Sequence, residues 1–406
     1  MNDEKIINDP VFGFIKIPRG PLLDIIKHPW MQRLTRIKQL GLTSIVYPSA
    51  QHARFLHSIG SFHLMSEAIN SLTNKGVFIF DSEAEAVEAA ILMHDIGHGP
   101  FSHVLENTLI NGISHEDISL IMMEQMNREM KGALTLALKI FKNEYPKRFL
   151  HQLISSQLDM DRLDYLRRDC FFTGLTEGNI GSARIIKMLN VANDRLVVDY
   201  KGIYSIENYL ISRRLMYWQV YLHKTTVASE KMLLNVLNRA KGLVRNGHEV
   251  FAPPCLKYFL SNDVNAELFK CDSKALYYYT LLDDTDIWSA LKEWTENNDN
   301  ILSILASDII NRNLFKVEVS DKPFDEEYIE NIRKSLSDRY NITKEETCYF
   351  MSIDFIQKDM YDFNDDHISI LYKDGTIKDI SEASDILDIV LLSKKNRKYY
   401  LCYKRF

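Results

Sequence analysis

The stretch His94-Asp95-Ile96-Gly97-His98-Gly99-Pro100-Phe101-Ser102-His103 sets three imidazoles and a carboxylate within ten residues, bounded by Gly and Pro. Adjacent residues on a helix point about 100° apart, so amphipathicity does not account for a His followed directly by an Asp. Two ligands converging on one cation from the end of a helix do account for it. That helix is expected immediately upstream, in Ser82-Glu83-Ala84-Glu85-Ala86-Val87-Glu88-Ala89-Ala90-Ile91-Leu92-Met93. Ser82 reads as its cap, with Glu85 three residues later and an apolar run behind.

Outward from this stretch the chain is 406 residues long, enough for a main domain and an appendage. From about Leu22 to about Val244 apolar residues recur at helical spacing, as in Leu22, Ile25 and Ile26, or Leu34, Ile37 and Leu40. Residues 1–20 read as an extended lead-in with turn signals at Asn8-Asp9-Pro10 and Pro18-Arg19-Gly20-Pro21. A turn-rich loop from Asn246 to Pro254 closes this part. A further helical section is expected from about Cys255 to Arg312, then short β-branched runs at Lys316–Val319, Tyr349–Asp354, Ile368–Tyr372 and Tyr399–Tyr403. Asp374-Gly375 is a hairpin signal. The expectation is a mainly α protein: a helical domain over residues 1–245 and a smaller α+β C-terminal region over 246–406.

The formal net charge of -6 gives no global basic signal for nucleic acid, though it leaves room for a local basic pocket. Cys170, Cys255, Cys271, Cys348 and Cys402 are scattered, odd in number and never spaced Cys-x-x-Cys, as expected of reduced thiols. No apolar core of a signal peptide follows Met1, and no apolar run reaches the roughly 20 residues that span a bilayer. A cytoplasmic location without membrane contact is the expectation.

Seven of the twelve histidines lie between positions 52 and 115, which makes this region the place to look for a metal. A lone His is ordinarily a hydrogen-bonded core or surface residue, and His28, His63, His151, His248 and His367 read that way. Several imidazoles with carboxylates suit a divalent first-row metal. His57, His94 and Asp95 are the best ligand candidates. A fourth ligand is sought in the run Asp159-Met160-Asp161-Arg162-Leu163-Asp164-Tyr165-Leu166-Arg167-Arg168-Asp169. On a helix Asp161, Tyr165 and Asp169 line one face and Asp164 lies off it. Taken alone, such a run reads as a solvated, salt-bridged face.

The ordered set His57, His94-Asp95 and Asp161 resembles the signature of the HD-domain metal-dependent phosphohydrolases. The longer string from His94 through His103 to Glu106 is similar to the deoxynucleoside triphosphate triphosphohydrolase branch. Further matches run in family order: Ile7-Asn8-Asp9-Pro10, Arg33-Leu34, Ile37-Lys38-Gln39-Leu40-Gly41, Arg54-Phe55-Leu56-His57-Ser58-Ile59-Gly60, His115-Glu116, Asp161-Arg162-Leu163-Asp164-Tyr165 and Tyr221-Leu222-His223-Lys224. They cover about residues 5–225. The resemblance implies a multi-helical HD-domain fold and one divalent ion (Mg, Mn, Fe, Zn or Ni) on His57, His94, Asp95 and Asp161. It also implies a nucleotide substrate, a dNTP above others, and a homo-oligomer, dimer or tetramer.

A metal so held would acidify a bound water and polarise a phosphate. His98 and His103 lie beyond the doublet, within reach of a substrate. Glu106, three residues after His103, shares its face if the segment is helical and would then raise the pKa of that imidazole, making His103 the candidate general acid. The resemblance also aims His98 and His115 into the site. A triphosphate needs cations, and Arg54, Arg162, Arg213 and Lys224 are placed to supply them. By resemblance, Tyr165 packs on the sugar and Asp169 binds a sugar hydroxyl. Gln39 and Leu40 lie beside the 3′-hydroxyl and base, and Tyr217 and Tyr221 at the sugar and base. Lys5 and Asn8 match part of an activator site known in relatives, but Lys27 and Thr35 depart from the Asp and Arg that read a guanine there. Two other readings stay open: another HD phosphohydrolase activity, on a nucleotide monophosphate or a signalling nucleotide, and a non-catalytic nucleotide-binding regulatory module.

Overall fold

A computed structural model describes residues 4–106, 108–271, 273–358, 367–385 and 396–406; within these spans the side chains of His103, Asn111, Cys271, Gln357, Lys358 and Asn396 are outside the described set. The lead-in is a hairpin of β1 (Glu4–Asp9) and β2 (Gly13–Pro18), in register from Glu4–Pro18 to Asp9–Gly13. Ile15 and Ile17 alternate inward and are fully buried, as a one-faced strand requires. Asp9 closes the turn by accepting from the Val11 and Phe12 amides at 2.8 and 2.9 Å.

Helices follow: α1 (Pro21–Lys27), α2 (Pro29–Arg33), α3 (Arg54–Asn74), α4 (Asp81–Met93), α5 (Ser102–Glu106), then the two-residue β3 (Ile110–Asn111), α6 (His115–Glu129), α7 (Thr135–Phe141), α8 (Arg148–Ile154), α9 (Met160–Thr173) and α10 (Ser182–Met188). Pro21 and Pro29 open α1 and α2, where a missing N–H costs nothing. Helix α3 is central: it packs on α4 and α9 and buries residues on successive positions from His57 to Phe62. Helix α4 starts one residue before Ser82, and its N-cap is Phe80. Glu83, buried and held by Tyr145 and Lys147, accepts from the Phe80 amide at 2.9 Å, whereas Ser82 and Glu85 are exposed. The cap assigned to Ser82 is corrected on that ground.

The helical expectation over 22–244 missed a hairpin of β4 (Leu189–Ala192) and β5 (Arg195–Asp199). Asn193 and Asp194 both have positive φ, 53° and 58°, the pair that a two-residue hairpin turn demands. After it come α11 (Ile203–Met216), a π-helical turn over Tyr217–Tyr221, and α12 (Lys224–Arg245).

The C-terminal part contains α13 (Pro254–Ser261), β6 (Val264–Asn265), α14 (Ala266–Cys271), α15 (Ser273–Leu281), α16 (Asp284–Trp294), α17 (Asn300–Ile310), β7 (Lys316–Ser320), α18 (Glu326–Tyr340), β8 (Met351–Lys358), β9 (Ser369–Leu371), β10 (Ile377–Asp379), α19 (Ile380–Ala383) and β11 (Asn396–Tyr403). The four β-branched runs fall on β7, β8, β9 and β11, and Asp374-Gly375 turns between β9 and β10 with Gly375 at φ 87°. One sheet has the order β10-β9-β5-β4, with β9 parallel to β5, and a second the order β7-β11-β8. The buried apolar residues form one core running from Ile15 to Tyr403. Among the described residues no helix is long and apolar enough to cross a membrane.

Candidate active site

Three elements bring the metal-ligand candidates together. His57 lies in the first turn of α3, His94 caps the C-terminus of α4 with Asp95 following, and Asp161 lies in the first turn of α9. His57 Nε2 is 3.2 Å from His94 Nε2 and 3.1 Å from Asp161 Oδ1; His94 Nε2 is 3.5 Å from the same oxygen. Asp95 stands beside them, Oδ1 at 3.5 Å from His94 Nε2 and Oδ2 at 3.7 Å from His57 Nε2.

The outer ring nitrogens fix the tautomers. His94 Nδ1 is 2.6 Å from the Ile91 carbonyl and His57 Nδ1 is 2.7 Å from Asp164 Oδ2, and both partners only accept. Each Nδ1 therefore carries the proton, and in the neutral rings two Nε2 lone pairs face each other across two carboxylates. His57, His94 and Asp161 present three ligand atoms that could hold a cation, with Asp95, which also accepts from Arg54, beside them; imidazoles with carboxylates fit a divalent metal. Without a metal a proton takes the place. Burial opposes a charged His57, but Asp161 and Asp164 outweigh it and raise its pKa to about 10, and His94 is raised likewise by Asp95 and Asp161. Against its own burial, Asp161 is held well below the usual carboxylate range by His57 and His94.

Asp164, set aside in sequence as off the ligand face, is the residue that sequence reasoning missed. It is fully buried and is gripped through both oxygens by Arg168 at 2.9 Å, and Arg168 also reaches Asp9 at 2.7 Å. On the other side Ser119 Oγ donates to the His94 carbonyl and accepts from the Gly97 amide, both at 2.9 Å. A β-carbon on Gly97 would stand 2.2 Å from Ser119 N, so the loop after the doublet lies directly on α6.

His98 Nε2 approaches Asp95 Oδ1 at 3.2 Å, and its ring stacks on His115 with centroids 3.9 Å apart. His115 Nδ1 meets Glu106 Oε1 at 3.0 Å, and that oxygen also accepts from Ser102 Oγ at 2.9 Å. Burial, then the Arg54 charge, push His98 down to about 3, while Glu106 overcomes burial and raises His115. The two stacked imidazoles are thus shifted in opposite directions. His103 is in α5, as the shared face with Glu106 required of its backbone, but its side chain lies outside the described residues.

The remaining candidates form a wall beside His57. Tyr165 is 6.4 Å from the His57 ring and 6.1 Å from Tyr221, which is 5.4 Å from Tyr217. The π-helical turn that sets these two tyrosines is marked by the Leu222 amide reaching the Tyr217 carbonyl, five residues back. Asp169 is buried, with Oδ2 accepting from Tyr221 at 2.7 Å and Oδ1 facing His52 Nε2 at 2.8 Å. His52 was another residue to which the sequence gave no role. Arg54 donates to Asp95 at 2.7 Å; Arg162 is paired with Asp159, the N-cap of α9. Arg213 lies 5.9 Å from the Tyr217 ring, Gln39 donates its amide to the His52 carbonyl, Leu40 packs on the core, and Lys224 is exposed at the start of α12. Buried side-chain atoms without a hydrogen-bond partner include Gln39 Oε1, His52 Nδ1, Arg54 Nε, His98 Nδ1, and Arg213 Nε and Nη1. Buried polar groups are ordinarily satisfied, so these atoms are open to a polar ligand or to water.

Residues 54–169 match the HD domain family and residues 180–245 the family described as HD associated region. The crystal structure of a phosphohydrolase from Bacteroides thetaiotaomicron superposes with a TM-score of 0.97 at 65% identity, covering 99% of this chain and 100% of that one. The uncharacterized protein YwfO of Bacillus subtilis is 31% identical over 424 residues, 99% of this chain and 92% of its own. The deoxynucleoside triphosphate triphosphohydrolase SAMHD1 of Bos taurus is 27% identical over 81% of this chain and 60% of its own length. With the His-Asp cluster built as the signature implied and these matches extending over nearly the whole sequence, the chain belongs to the HD-domain phosphohydrolase superfamily, in its dNTP triphosphohydrolase-like branch.

Proposed function

We propose that this phosphohydrolase cleaves a dNTP into a deoxynucleoside and inorganic triphosphate. The observation that carries the reading is the guanidinium of Arg213. It is half-buried beside Tyr165, Tyr209 and Tyr217, with Nε and Nη1 buried and unpartnered, next to Arg162 and the wall of Tyr165, Asp169 and Tyr221. Buried guanidinium nitrogens without acceptors are costly unless an anion completes them, and a polyphosphate tail does so.

In this reading His57, His94, Asp95 and Asp161 hold one divalent ion. When bound, the ion supplies positive charge to the phosphoryl oxygens and lowers the pKa of water. Arg54, Arg162 and Arg213, with Lys224 at the rim, bind the phosphates. Asp169, oriented by His52 and Tyr221, accepts from a sugar hydroxyl, and Tyr165 packs against the ring. Gln39, Leu40, Tyr217 and Tyr221 surround the sugar and base. His98 and His115, the latter paired with Glu106, line the phosphate side. His103 is the candidate acid that gives a proton to the departing 5′-oxygen. The similarity to deoxynucleoside triphosphate triphosphohydrolases supports the nucleotide substrate, and the same reading proposes a homo-oligomer (dimer or tetramer) and a cytoplasmic setting. In the same reading residues 1–245 are the catalytic domain and residues 246–406 a C-terminal region appended to it.

Incubation with each dNTP and Mn²⁺ tests the reading. Deoxynucleoside and tripolyphosphate are the expected products. Release of phosphate or pyrophosphate would assign the site to another HD phosphohydrolase chemistry, and no turnover of any nucleotide would favour a regulatory module.

A further inference from the structure

His57 is the head of a buried ionic chain that ends outside the helical core. His57 Nδ1 meets Asp164 at 2.7 Å, Asp164 meets Arg168 at 2.9 Å through both oxygens, and Arg168 meets Asp9 Oδ2 at 2.7 Å. The Asp9, Asp164 and Arg168 side chains are 0% exposed and His57 is 1% exposed. No slack is available along it, because a β-carbon on Gly60 would lie 1.9 Å from Asp164 Oδ1 and 2.1 Å from Arg168 Nη2. The far end is the last residue of β1. Asp9 uses Oδ1 to hold the Val11 and Phe12 amides of the hairpin turn and Oδ2 to hold Arg168. One carboxylate therefore both shapes the hairpin and terminates the chain. Phe12 covers it, 4.7 Å from the Arg167 guanidinium, 5.6 Å from that of Arg168 and 5.2 Å from the His63 ring.

We infer that Asp9 and Arg168 are positioning residues for the metal ligand His57, so that docking of the N-terminal hairpin and metal loading support each other. The inference rests on the reading of His57 as a ligand and is independent of the substrate. Two carboxylates share one guanidinium. While Asp9 draws on Arg168, Asp164 keeps more of its negative charge for the His57 N–H, and a ring hydrogen-bonded to a stronger acceptor is a more basic ligand. Neutralising Asp9 turns Arg168 wholly to Asp164 and weakens that polarisation. By reciprocity, a metal that favours the ordered His57–Asp164–Arg168 chain favours the docked hairpin by the same factor.

The test uses the full chain and Mn²⁺ alone. Hydrogen-exchange mass spectrometry on the metal-free and Mn²⁺-saturated protein is expected to show slower exchange in peptides covering β1 and β2 with metal bound. Asp9→Asn is expected to weaken Mn²⁺ binding about threefold to tenfold, at a temperature where the fold is intact, and to move the hydrogen-bonded His57 ring N–H resonance of the metal-free protein upfield. Hairpin exchange indifferent to Mn²⁺ overturns the inference without needing any variant. So does an Asp9→Asn protein with wild-type Mn²⁺ affinity and an unmoved His57 resonance. Neither result bears on which nucleotide is cleaved.

Discussion

Gly60 sits where α3 crosses the Asp164–Arg168 pair, and its lack of a side chain lets the pair lie against the helix beside His57. Gly60→Ala is expected to cost about 2–3 kcal/mol in urea unfolding and about tenfold or more in Mn²⁺ affinity, since the pair cannot move without dragging His57. The ligands themselves separate by role. Asp95→Ala is expected to lose metal and turnover together. His103→Ala is expected to keep metal, read by metal analysis, and to lose rate by about 10²-fold or more, the scale of a general acid. His57, His94 and Asp95 were legible as ligand candidates because imidazoles beside a carboxylate at a helix end suit a metal and fit no amphipathic face, whereas Asp161 shares a face with Tyr165 and Asp169 and was singled out by the family resemblance. Asp164 and Arg168 were not legible, because an Asp and an Arg four residues apart look the same on a solvated helix as in a buried one. Only the packing of α3 on α9 tells the two apart. Asp9 read as a turn residue, which it is, and its second oxygen carried no sequence signal.

At the scale of elements, α9 turns the charge run into a site. Asp159 caps it, accepting from the Arg162 amide at 2.7 Å, and Gly174 ends it in the left-handed region at φ 75°. Between those ends Asp161 faces the histidines, Asp164 faces Arg168 and Asp169 faces Tyr221. The predicted helix was right, and the predicted single functional face was too narrow. The β4–β5 hairpin escaped notice because Asn193-Asp194 is a weaker turn signal than Asn-Gly. Helix α12 carries an internal titration. Burial pushes the Glu230 carboxyl up to about 7, with Lys231 only partly opposing. A carboxyl raised in the fold stays protonated there while the unfolded chain ionises, so stability is full below about pH 4.5 and falls until about pH 7. Glu230→Gln is therefore expected to match the wild type at acid pH and to exceed it by about 1–3 kcal/mol above pH 7, in paired urea titrations across that range.

At the scale of the molecule, the C-terminal part braces the loop that follows His94-Asp95. Arg33, fully buried, donates to the Leu282 carbonyl at 3.1 Å and to the His98 carbonyl at 2.8 Å, and Tyr279 donates to the Gly97 carbonyl at 2.6 Å. Residues from α2 and α15 thus hold the backbone just after the ligand doublet. Tyr279→Phe is expected to cost about 1–3 kcal/mol of stability by denaturant unfolding, because a buried carbonyl loses its donor. The sequence conveyed the helical bulk and the positions of the late strands, because periodicity and β-branched runs are local. The parallel pairing of β5 with β9 and the Arg33–Leu282 contact join residues more than 150 positions apart, beyond what any local pattern encodes. In the proposed reaction water attacks the phosphorus bearing the 5′-oxygen. Turnover of the preferred dNTP in ¹⁸O-water, with mass analysis of both products, tests this attack. One ¹⁸O in tripolyphosphate and none in the deoxynucleoside is the expected result. Label in the deoxynucleoside, or in released phosphate or pyrophosphate, would contradict it.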